Sequence, residues 1–401
     1  MANTILTPTA VTREALRILH QKCNFIGTIN RQYDDSFAKS GAKIGDSLKI
    51  RLPNQYTVRT GATLSAQDTT ETSTTLQIAT QKGVDLNFTS ADLTLSLDDF
   101  SKRILDPAMA VLAANIEADA MSMYKDVWSA APVATVTAAL DFATLLKGRK
   151  KLQDQLAPME KRVANLTTQN TVDLVDALKA LFNDSGEIAK QYKEGSMGRA
   201  AGFDFYENTL WARHTSGDAA ANGSSITVSG ANQTGSSITV TNGSSKTLKK
   251  GDIISFVGVN RVHPESKADT GVLMQFAVAA DVAAGGTTIT ITPAIVTSGA
   301  TQNVSASPTN SQVITKVGGA SGVYDNSMLY HPDAFTFATA DLVKPSGVDF
   351  AAREVQDGIS MRTVRQYDIN NDKFPCRLDV LYGYKTIRAD LACRLISNSS
   401  A

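Results

Sequence analysis

A change of composition inside the chain constrains its fold more than any other feature. Residues 221–320 contain 39 glycine, serine or threonine residues and only ten charged side chains. Four short runs in this stretch alternate apolar and polar residues between glycine or asparagine turns, which is the pattern of short β-strands. The runs span 252–257, 272–278, 287–292 and 312–317. Because such strands are typical of a small barrel or sandwich, the sequence predicts an inserted all-β, barrel-like domain over 218–320.

Two details of this β-domain can be read from the sequence. The segment GSSITVSG at 223–230 is nearly repeated as GSSITVTNG at 235–243. A solenoid needs about three or more stacked repeats, so two copies predict no repeat architecture. Pro293 follows the third strand run and is expected to end it, because proline has no backbone N–H to donate to a neighbouring strand.

The strongest helical pattern lies between Ser96 and Trp128. Apolar residues recur there at spacings of three and four, as on one face of a helix. These residues are Phe100, Ile104, Ala108, Leu112, Ile116, Ala120, Met123 and Val127. At about 1.5 Å per residue the helix should be roughly 45 Å long. Pro107 is expected to kink it, and charged residues such as Glu117 are expected on the opposite, solvated face.

The first 90 residues predict a helix and a projecting hairpin. Residues 9–21 place apolar side chains at helical spacing, with Thr12 as the expected N-cap. Alternating residues at 48–52 and 76–88 predict strands. The segment between them, 60–75, is polar apart from Leu64, and so polar a tip cannot fold back into a core. The hairpin is therefore expected to project from the body.

The rest of the chain is of mixed helical and strand character. The predicted elements are helices at 141–156 and 171–182, a glycine-rich turn and strand at 195–208, a strand at 328–332, a short helix at 334–338, and paired strands at 360–367 and 376–387. Together with the inserted β-domain, these elements predict a fold of the α+β class.

Composition and motifs argue against catalysis and against nucleic-acid coating. Lys plus Arg and Asp plus Glu are both 39, so the formal charge is zero, whereas a protein that coats nucleic acid needs a basic excess. The short basic run at 147–151 is interpreted as a solvated helix face, with a surface that faces phosphates as the alternative. No spacing of the histidines or cysteines matches a metal site, and no phosphate-binding motif is present. Ser36 and Lys39 match the pattern SxxK of some nucleophilic enzymes, but the motifs that accompany it there are missing. We therefore expect no enzyme activity, no metal and no cofactor.

Neither a membrane span nor an export signal is expected. The most apolar stretch, 107–116, is about half of the roughly 20 residues that a spanning helix needs. The N-terminus lacks the pattern of a signal peptide, so the chain is expected to fold in a cytoplasm. The three cysteines, Cys23, Cys376 and Cys393, cannot form a disulfide framework, and free cysteines usually serve as small apolar core residues.

Four stretches spread over nearly the whole chain carry a resemblance to a known family. They are NTILTPTAVTREALRIL at 3–19, EGSMGRAAGFDFYEN at 194–208, KKGDIISFVGVNRVHPESKADTGVLMQFAV at 249–278 and CRLDVLYGYKTIRADLACRL at 376–395. In this order they resemble the major capsid (coat) proteins of tailed bacteriophages, most closely those of short-tailed phages with an extra β-domain. The stretch at 249–278 is similar to the inserted domain of that subgroup and is the most specific of the four. Residues 218–245 have no counterpart in the resemblance.

The resemblance implies the Hong Kong-type phage major capsid fold. That fold combines an N-terminal arm, an extended loop, a peripheral domain with a long spine helix, and an axial domain. The implied boundaries are 1–45 for the arm, 46–90 for the extended β-hairpin loop, 91–139 for the peripheral domain with its spine helix, 140–217 for the first part of the axial domain, 218–320 for the inserted all-β domain, 321–360 for the second part of the axial domain, and 361–401 for the closing strands of the peripheral domain.

The resemblance also implies a function. Such a protein self-assembles through pentamers and hexamers into the icosahedral shell that encloses phage DNA. Its implied partners are further copies of the chain, a scaffolding protein, a portal protein, packaged double-stranded DNA through weak non-specific contact, and in some relatives a decoration protein, with no membrane. Its implied location is the virion, after assembly in the host bacterial cytoplasm. The alternative is another virion structural protein, of the tail or of the decoration type.

The arm and the hairpin tip supply the candidates for assembly contacts. They are Arg13, Arg17, Arg59, Leu64, Asp68 and Glu71. Charged residues at such positions would set register and specificity more than affinity. The inserted β-domain is expected to help the subunit fold or to contact a neighbouring copy, with decoration of the outer surface as the alternative.

Overall fold

The computed structural model describes most of the chain as two compact units. The described residues are 8–31, 47–59, 61–64, 66–67, 71–88, 101–133, 138–178, 198–221, 226–243, 245–356, 359–370 and 373–398. The first unit takes Met1–Arg51, Ser73–Met121 and Phe335–Lys385. The second unit takes Leu52–Thr72, Ser122–Ala334 and Thr386–Ala401. Each unit is therefore built from discontinuous stretches of the chain.

The described α-helices range from 5 to 16 residues. The α-helices are α1 (Pro8–Lys22), α2 (Asn24–Thr28), α3 (Asp106–Met121), α4 (Phe142–Asp154) and α5 (Thr168–Leu178). A π-helical turn, Ser101–Leu105, precedes α3, and a 3-10 turn, Ser122–Asp126, follows it. Two further 3-10 turns lie at Pro332–Ala334 and Ala389–Leu391.

The strands are distributed over the whole described chain. In order they are β1 (Asn30–Arg31), β2 (Ser47–Arg51), β3 (Ser73–Gln77), β4 (Thr80–Phe88), β5 (Ala130–Pro132), β6 (Val163–Leu166), β7 (Arg199–Ala200), β8 (Phe203–Glu207), β9 (His214–Thr215), β10 (Thr227–Val228), β11 (Gly235–Thr241), β12 (Ile253–Phe256), β13 (Asn260–Val262), β14 (Asp269–Leu273), β15 (Phe276–Val278), β16 (Thr288–Ile295), β17 (Ile314–Lys316), β18 (Val323–Tyr330), β19 (Phe335–Ala340), β20 (Phe350–Gln356), β21 (Ile359–Arg365), β22 (Phe374–Thr386) and β23 (Ala392–Ser397).

The first unit is a sheet packed against helices α1 and α3. The sheet has the order β1-β19-β22-β21-β20, and β4 also pairs with β22. Helix α1 confirms the prediction for residues 9–21, and its predicted apolar residues Ala15, Leu16 and Leu19 are buried. The prediction for Thr12 is wrong. Thr12 lies inside the helix, and its buried hydroxyl donates to Thr363 Oγ1 of β21 at 3.0 Å.

The buried face of the predicted long helix is confirmed, and the expectations for Pro107 and Glu117 are corrected. The described apolar positions from Ala108 to Val127 are buried, whereas Ser96–Phe100 lie outside the described residues. Pro107 is the second residue of α3, where the helix changes from π to α geometry. Glu117, expected to be solvated, is fully buried, because its Oε1 accepts the backbone N–H of Phe25 at 2.6 Å.

The predicted hairpin is present. Strands β2 and β3 pair antiparallel, with Ser47 opposite Gln77 and Arg51 opposite Ser73. The chain then continues into β4, which pairs along nine residues with β22. The predicted pairing of the last two strand runs is confirmed as well, since Arg365 of β21 lies opposite Cys376 of β22.

The second unit is built on a seven-stranded sheet. Its order is β5-β23-β18-β6-β8-β7, with β9 paired to β18. Helix α4 begins at the N-cap Asp141, whose carboxylate accepts the N–H of Thr144 at 2.8 Å. The helix packs on β23 and β5 at close range. Gly148 permits this approach, because a side chain there would meet Leu329 and Leu395.

The inserted domain is a closed six-stranded barrel with a small hairpin. The strand order is β10-β11-β16-β15-β12-β17, and β13 and β14 form the hairpin. The two ends of this order meet, since Val228 of β10 exchanges backbone hydrogen bonds with Gln312 and Ser311, both at 2.9 Å. The near-repeated segments pair with each other, with Val228 opposite Val240. The prediction of an all-β, barrel-like insertion is therefore confirmed.

Two local predictions in the later part of the chain are wrong. Pro293 does not end its strand, because β16 runs to Ile295. The pairing of β16 with β11 shifts register between Gly235 and Ser237. At such an irregularity a strand tolerates a proline, which has no backbone N–H to donate. The segment 334–338 is not a helix. A 3-10 turn leads there into β19, which is buried along its whole length, so an uninterrupted apolar run hid the strand period.

The two compact units divide the C-terminal strands differently from the implied domains, whose boundaries stay a prediction. Strands β19 and β20, implied to belong with 140–217, lie in the first unit, because β19 pairs with β22 and β20 pairs with β21. Strand β23, implied to close the domain of the spine helix, lies in the second unit, because it pairs with β18 along six residues.

Candidate functional site

The sequence-predicted assembly residues fall on two elements. Arg59, Leu64 and Glu71 lie in the segment 52–72, which joins β2 to β3 and is called the tip loop below. Asp68 lies outside the described residues. The remaining two candidates, Arg13 and Arg17, lie on α1.

Side chains hold the two limbs of the tip loop together. The N–H of Leu52 donates to the carbonyl of Thr72 at 2.9 Å and extends the hairpin ladder by one bond. Further along the loop, the side-chain carboxamide of Gln67 makes the two hydrogen bonds to a backbone that a paired strand would make. It accepts from the N–H of Thr57 at 2.9 Å and donates to the carbonyl of the same residue at 2.5 Å. A loop that is polar and exposed therefore still has a defined shape.

The outer part of the tip loop combines a fixed turn with exposed apolar side chains. Arg59 Nη1 donates to the carbonyl of Thr63 at 3.1 Å and also to that of Gly61. The side chain of this candidate therefore stabilises the turn of the loop itself. Leu64 is 83% exposed and Val58 is 96% exposed. Exposed apolar side chains on a structured projection are typical of a surface that another protein covers.

The two candidates on α1 form ion pairs within the first unit. Arg13 Nε lies 3.3 Å from Glu354 Oε2 on β20, and Arg17 Nη2 lies 2.6 Å from Glu14 Oε1 on the same helix. Both arginine side chains are about half exposed or more, so solvent screening keeps the contribution of each pair to stability small. The structure thus gives both residues an intramolecular role, and their role between copies stays a prediction.

Sequence reasoning missed a buried polar network in the second unit, called the junction network below. Its centre is Arg394 of β23, which is fully buried. Its guanidinium donates to the carbonyl of Gly251 at 2.6 Å and to Asn326 Oδ1 at 2.8 Å, and it lies 5.1 Å from the ring centroid of Tyr124. Burial lowers the pKa of Arg394 to about 10, so the side chain remains a cation at neutral pH.

A histidine and an aspartate continue the network. His214 Nε2 lies 2.9 Å from Asp252 Oδ1, and His214 Nδ1 lies 3.4 Å from the hydroxyl of Tyr124. The second oxygen of Asp252 accepts the N–H of Gly217 at 3.0 Å and that of Lys249 at 2.9 Å. Burial lowers the pKa of His214. Burial alone would raise the pKa of Asp252, but the hydrogen bonds from His214 and the two amides outweigh it and lower that pKa.

A second group of contacts joins the inserted domain to helix α4 and strand β5. Gln275 Oε1 accepts both the N–H of Ala130, at 2.9 Å, and the ammonium of Lys151. Arg261 Nη2 lies 3.2 Å from Asp154 Oδ2. The interpretation of the basic run as a solvated face is therefore wrong for Lys151. This residue is half-buried, and burial lowers its pKa.

Apolar packing crosses the same boundary. The core of the barrel includes Phe256 and Phe276, whose rings pack edge to face at 5.4 Å. The same apolar cluster contains Trp128, Tyr324 and Ile396, which lie outside the insertion. The inserted β-domain and the rest of the second unit therefore share one core.

Sequence periodicity could not have found the junction network, because its members are far apart in the chain. Arg394 and Gly251 are separated by 143 residues. One signal was available. Arg394 stands in the otherwise apolar strand ACRLIS, and a cation in a strand of that kind is buried only where it has partners.

The described residues hold no obvious chemistry of other kinds. No group of three or more His, Cys, Asp or Glu residues among them is close enough to hold a metal ion. Within the same part of the chain, no helix combines the length and apolar character that crossing a membrane requires. All three cysteines are free and buried, and burial raises the pKa of Cys376 to about 12.

Comparison with protein families identifies the class to which this fold and loop belong. A family model described as "P22 coat protein - gene protein 5" matches residues 9–394. The match spans nearly the whole chain, so the protein is a major capsid protein of a tailed bacteriophage with the Hong Kong-type capsid fold. Within that class, the chain belongs to the P22 coat protein family. It is thus a virion structural protein, and its class assembles shells from copies of itself.

Solved structures similar to the chain include other phage capsids. The capsid of Ralstonia phage GP4 is 9% identical over 95% of this chain and 91% of its own, with a TM-score of 0.46. A chain of Mycobacterium phage Che8 is 12% identical over 93% and 90%, with a TM-score of 0.45. The CUS-3 coat protein I-domain is 34% identical over 23% of this chain and 95% of its own, with a TM-score of 0.18. Such low TM-scores add nothing to the family assignment, which rests on the family model. No curated protein sequence matches the chain.

Replacing Arg394 by leucine should destabilise the protein strongly. The change removes the donor to Gly251 and Asn326 and one of the buried cations near Asp252. Breaking a buried ionic network in this way costs about 3–5 kcal/mol of unfolding free energy. Urea denaturation followed by tryptophan fluorescence measures the change.

The matched control is Arg199→Leu. Arg199 is exposed and lies 3.7 Å from the exposed carboxylate of Asp204, so its loss should cost at most about 1 kcal/mol. Equal losses in the two variants would contradict the central place given to Arg394.

Proposed function

We propose that this chain assembles with itself, through pentamers and hexamers, into the icosahedral shell that encloses packaged phage DNA. The observation that carries the proposal is the tip loop. It projects apolar side chains from a side-chain-braced turn at the end of the β2–β3 hairpin, as a subunit that reaches onto a neighbouring copy requires. Membership of the coat protein family supports the same conclusion.

The physical chemistry of a shell is consistent with the sequence of this chain. A shell is built from one subunit through contacts that close around symmetry axes, and many weak contacts together give a stable assembly. The formal charge of zero limits repulsion between neighbouring copies. Arg13, Arg17, Arg59, Leu64, Asp68 and Glu71 are the proposed contact residues, with 1–45 as an arm and 46–90 as an extended loop.

The remaining partners follow from the proposed assembly. A scaffolding protein would bring subunits together at the correct curvature, a portal protein would occupy one vertex, and packaged double-stranded DNA would make weak non-specific contacts. A decoration protein would be an optional outer partner. The subunit is proposed to act without catalysis, and the shell to assemble in the cytoplasm of the bacterial host.

Electron microscopy of the expressed protein tests the assembly proposal. We expect closed icosahedral shells, or aberrant spirals that become closed shells when the neighbouring open reading frames are expressed with it. Negative-stain images of both preparations distinguish these forms. Compact monomers under every condition would contradict the proposal, and tubes or trimers would favour a tail or decoration protein.

The role of the tip loop can be tested with Leu64→Asp. Because Leu64 is 83% exposed, the change should leave the melting temperature of the unassembled subunit within about 2 °C of the parent, as for other surface substitutions. A charge at a buried contact between copies would lower the yield of shells at least tenfold, which corresponds to about 1.4 kcal/mol per contact. Sedimentation and electron microscopy measure the yield.

The conservative variant Leu64→Met serves as the control for the same position. It keeps side-chain volume and apolar character, so shells should form at nearly the parental yield. A normal yield of shells from Leu64→Asp would remove Leu64 from the proposed contact.

The inserted β-domain is proposed to support folding of the subunit that carries it. It shares a core with Trp128, Tyr324 and Ile396, and it supplies the carbonyl partner of the buried Arg394. Deleting 221–320 would expose that apolar surface to water and leave the buried cation without its carbonyl acceptor. We therefore expect a large loss of soluble protein, measured as the soluble fraction after expression, or shells of altered size. Normal shells at normal yield from the deletion would contradict this role.

A further inference from the structure

A buried histidine lies where the inserted β-domain joins the rest of the second unit. Three elements surround His214 of β9. The ionisable groups that they bring are Tyr124 and Lys125 from the turn after α3, Asp252 from the start of β12 and Arg394 from β23. His214 and Asp252 are both buried. Only Asp252 belongs to the insertion, so the His214–Asp252 pair crosses the junction directly.

The hydrogen-bond geometry of this pair fits a charged aspartate and a neutral histidine. Asp252 accepts two backbone N–H groups on its second oxygen, which favours the ionised carboxylate. Its first oxygen lies 2.9 Å from Nε2 of His214 and accepts its N–H. Nδ1 of the same ring lies 3.4 Å from the hydroxyl of Tyr124 and can accept from it. Burial lowers the pKa of His214, which favours this neutral form of the ring at neutral pH.

With a neutral ring the junction already holds more buried positive than negative charge. Arg394 and the buried Lys316 both lie near the single carboxylate of Asp252. A proton added to Nδ1 of His214 would add a further positive charge in a site shielded from water, close to Arg394 and to Lys125. It would also turn the acceptor for Tyr124 into a second donor, so the hydroxyl would lose its hydrogen bond or have to rotate.

We propose that His214 and Asp252 form an acid-sensitive latch that holds the inserted β-domain, 218–320, on the rest of the second unit. The latch is closed while the ring is neutral and is weakened when the ring takes up a proton. This goes beyond the proposed shell function, which requires no response to pH and would stand without it.

The direction of the pH effect follows from linkage. A histidine exposed to water takes up its proton near pH 6.5, whereas burial lowers the pKa of His214 in the closed state. The open state therefore binds the proton more readily, and the latch loses strength as the pH falls below about 6.5. The lowered pKa of Asp252 adds to this loss only in much stronger acid, below about pH 4.

The two tryptophans of the chain report on this junction. Trp211 packs edge-on against Tyr124 at a centroid distance of 6.4 Å. Trp128 lies in the core that the insertion shares with the rest of the unit. Opening of the latch should therefore change tryptophan fluorescence.

The experiment compares the full-length unassembled subunit at about pH 7.5 and about pH 5. Hydrogen exchange is followed at the amides of Gly217 and Lys249, the two backbone donors to Asp252, after correction for the intrinsic effect of pH. If the native ring stays unprotonated, protection at these amides should fall by up to about thirtyfold between the two conditions. Tryptophan fluorescence should change over the same range. Unchanged protection at both amides would overturn the proposal.

Two variants separate His214 from other acid-sensitive groups. In His214→Gln the amide can still donate to Asp252 but does not titrate, so the fall in protection should disappear. His331→Gln is the control, since burial also lowers the pKa of His331 in the same unit and its partner is Asp333. The control should keep the full response. A response that persists in His214→Gln, or is lost in His331→Gln instead, would overturn the proposal.

A measurement on the unmodified protein keeps the test decisive if His214→Gln does not fold. Peptides covering 214–218 and 249–252 should lose protection in acid, while a peptide covering 288–292 in the barrel wall should keep it. Simultaneous loss at all three peptides would show general acid unfolding and would contradict a latch at the junction.

Discussion

The second unit depends on a guanidinium that has no access to water. Arg394 cannot be buried as a cation unless its charge and its N–H groups find partners, because an unpaired buried charge costs several kcal/mol. Its partners come from three separate parts of the chain, namely Gly251 of the insertion, Asn326 of β18 and the ring of Tyr124. The last strand can therefore take its place only when the insertion is also in place. A domain inserted in the sequence becomes part of the folding unit that carries it.

The composition of the β-domain follows from its strands and from its contacts. Its outward positions are glycine, serine and threonine, which suit short twisted strands and tight turns, and its inward positions are apolar. Two of its charged residues lie where the barrel meets other elements, since Asp252 binds His214 and Arg261 pairs with Asp154. Others pair on the exposed surface of the domain, as Lys249 does with Asp281.

The tip loop, in contrast to the second unit, keeps a defined shape without a buried core. Its backbone cannot rely on apolar burial, because Leu64 and Val58 are exposed. The carboxamide of Gln67 and the guanidinium of Arg59 supply hydrogen bonds across the loop instead. Such bonds are worth about 1 kcal/mol each and order the segment without stabilising it strongly. A loop of this kind can present a defined surface and still adapt to a neighbouring copy.

The sequence by itself determined the elements whose side-chain period is visible locally. The helix α1, the buried face of α3, the β2–β3 hairpin and the strands of the inserted barrel follow from spacings of three and four or of two. The tertiary structure alone decided the features in which long-range partners override local pattern. Glu117 is buried because its carboxylate accepts the backbone N–H of the distant Phe25, and β19 is a strand because β1 and β22 pair with its two edges. The junction network belongs to the same group, since residues more than a hundred positions apart must meet before a buried arginine, histidine and aspartate can satisfy one another.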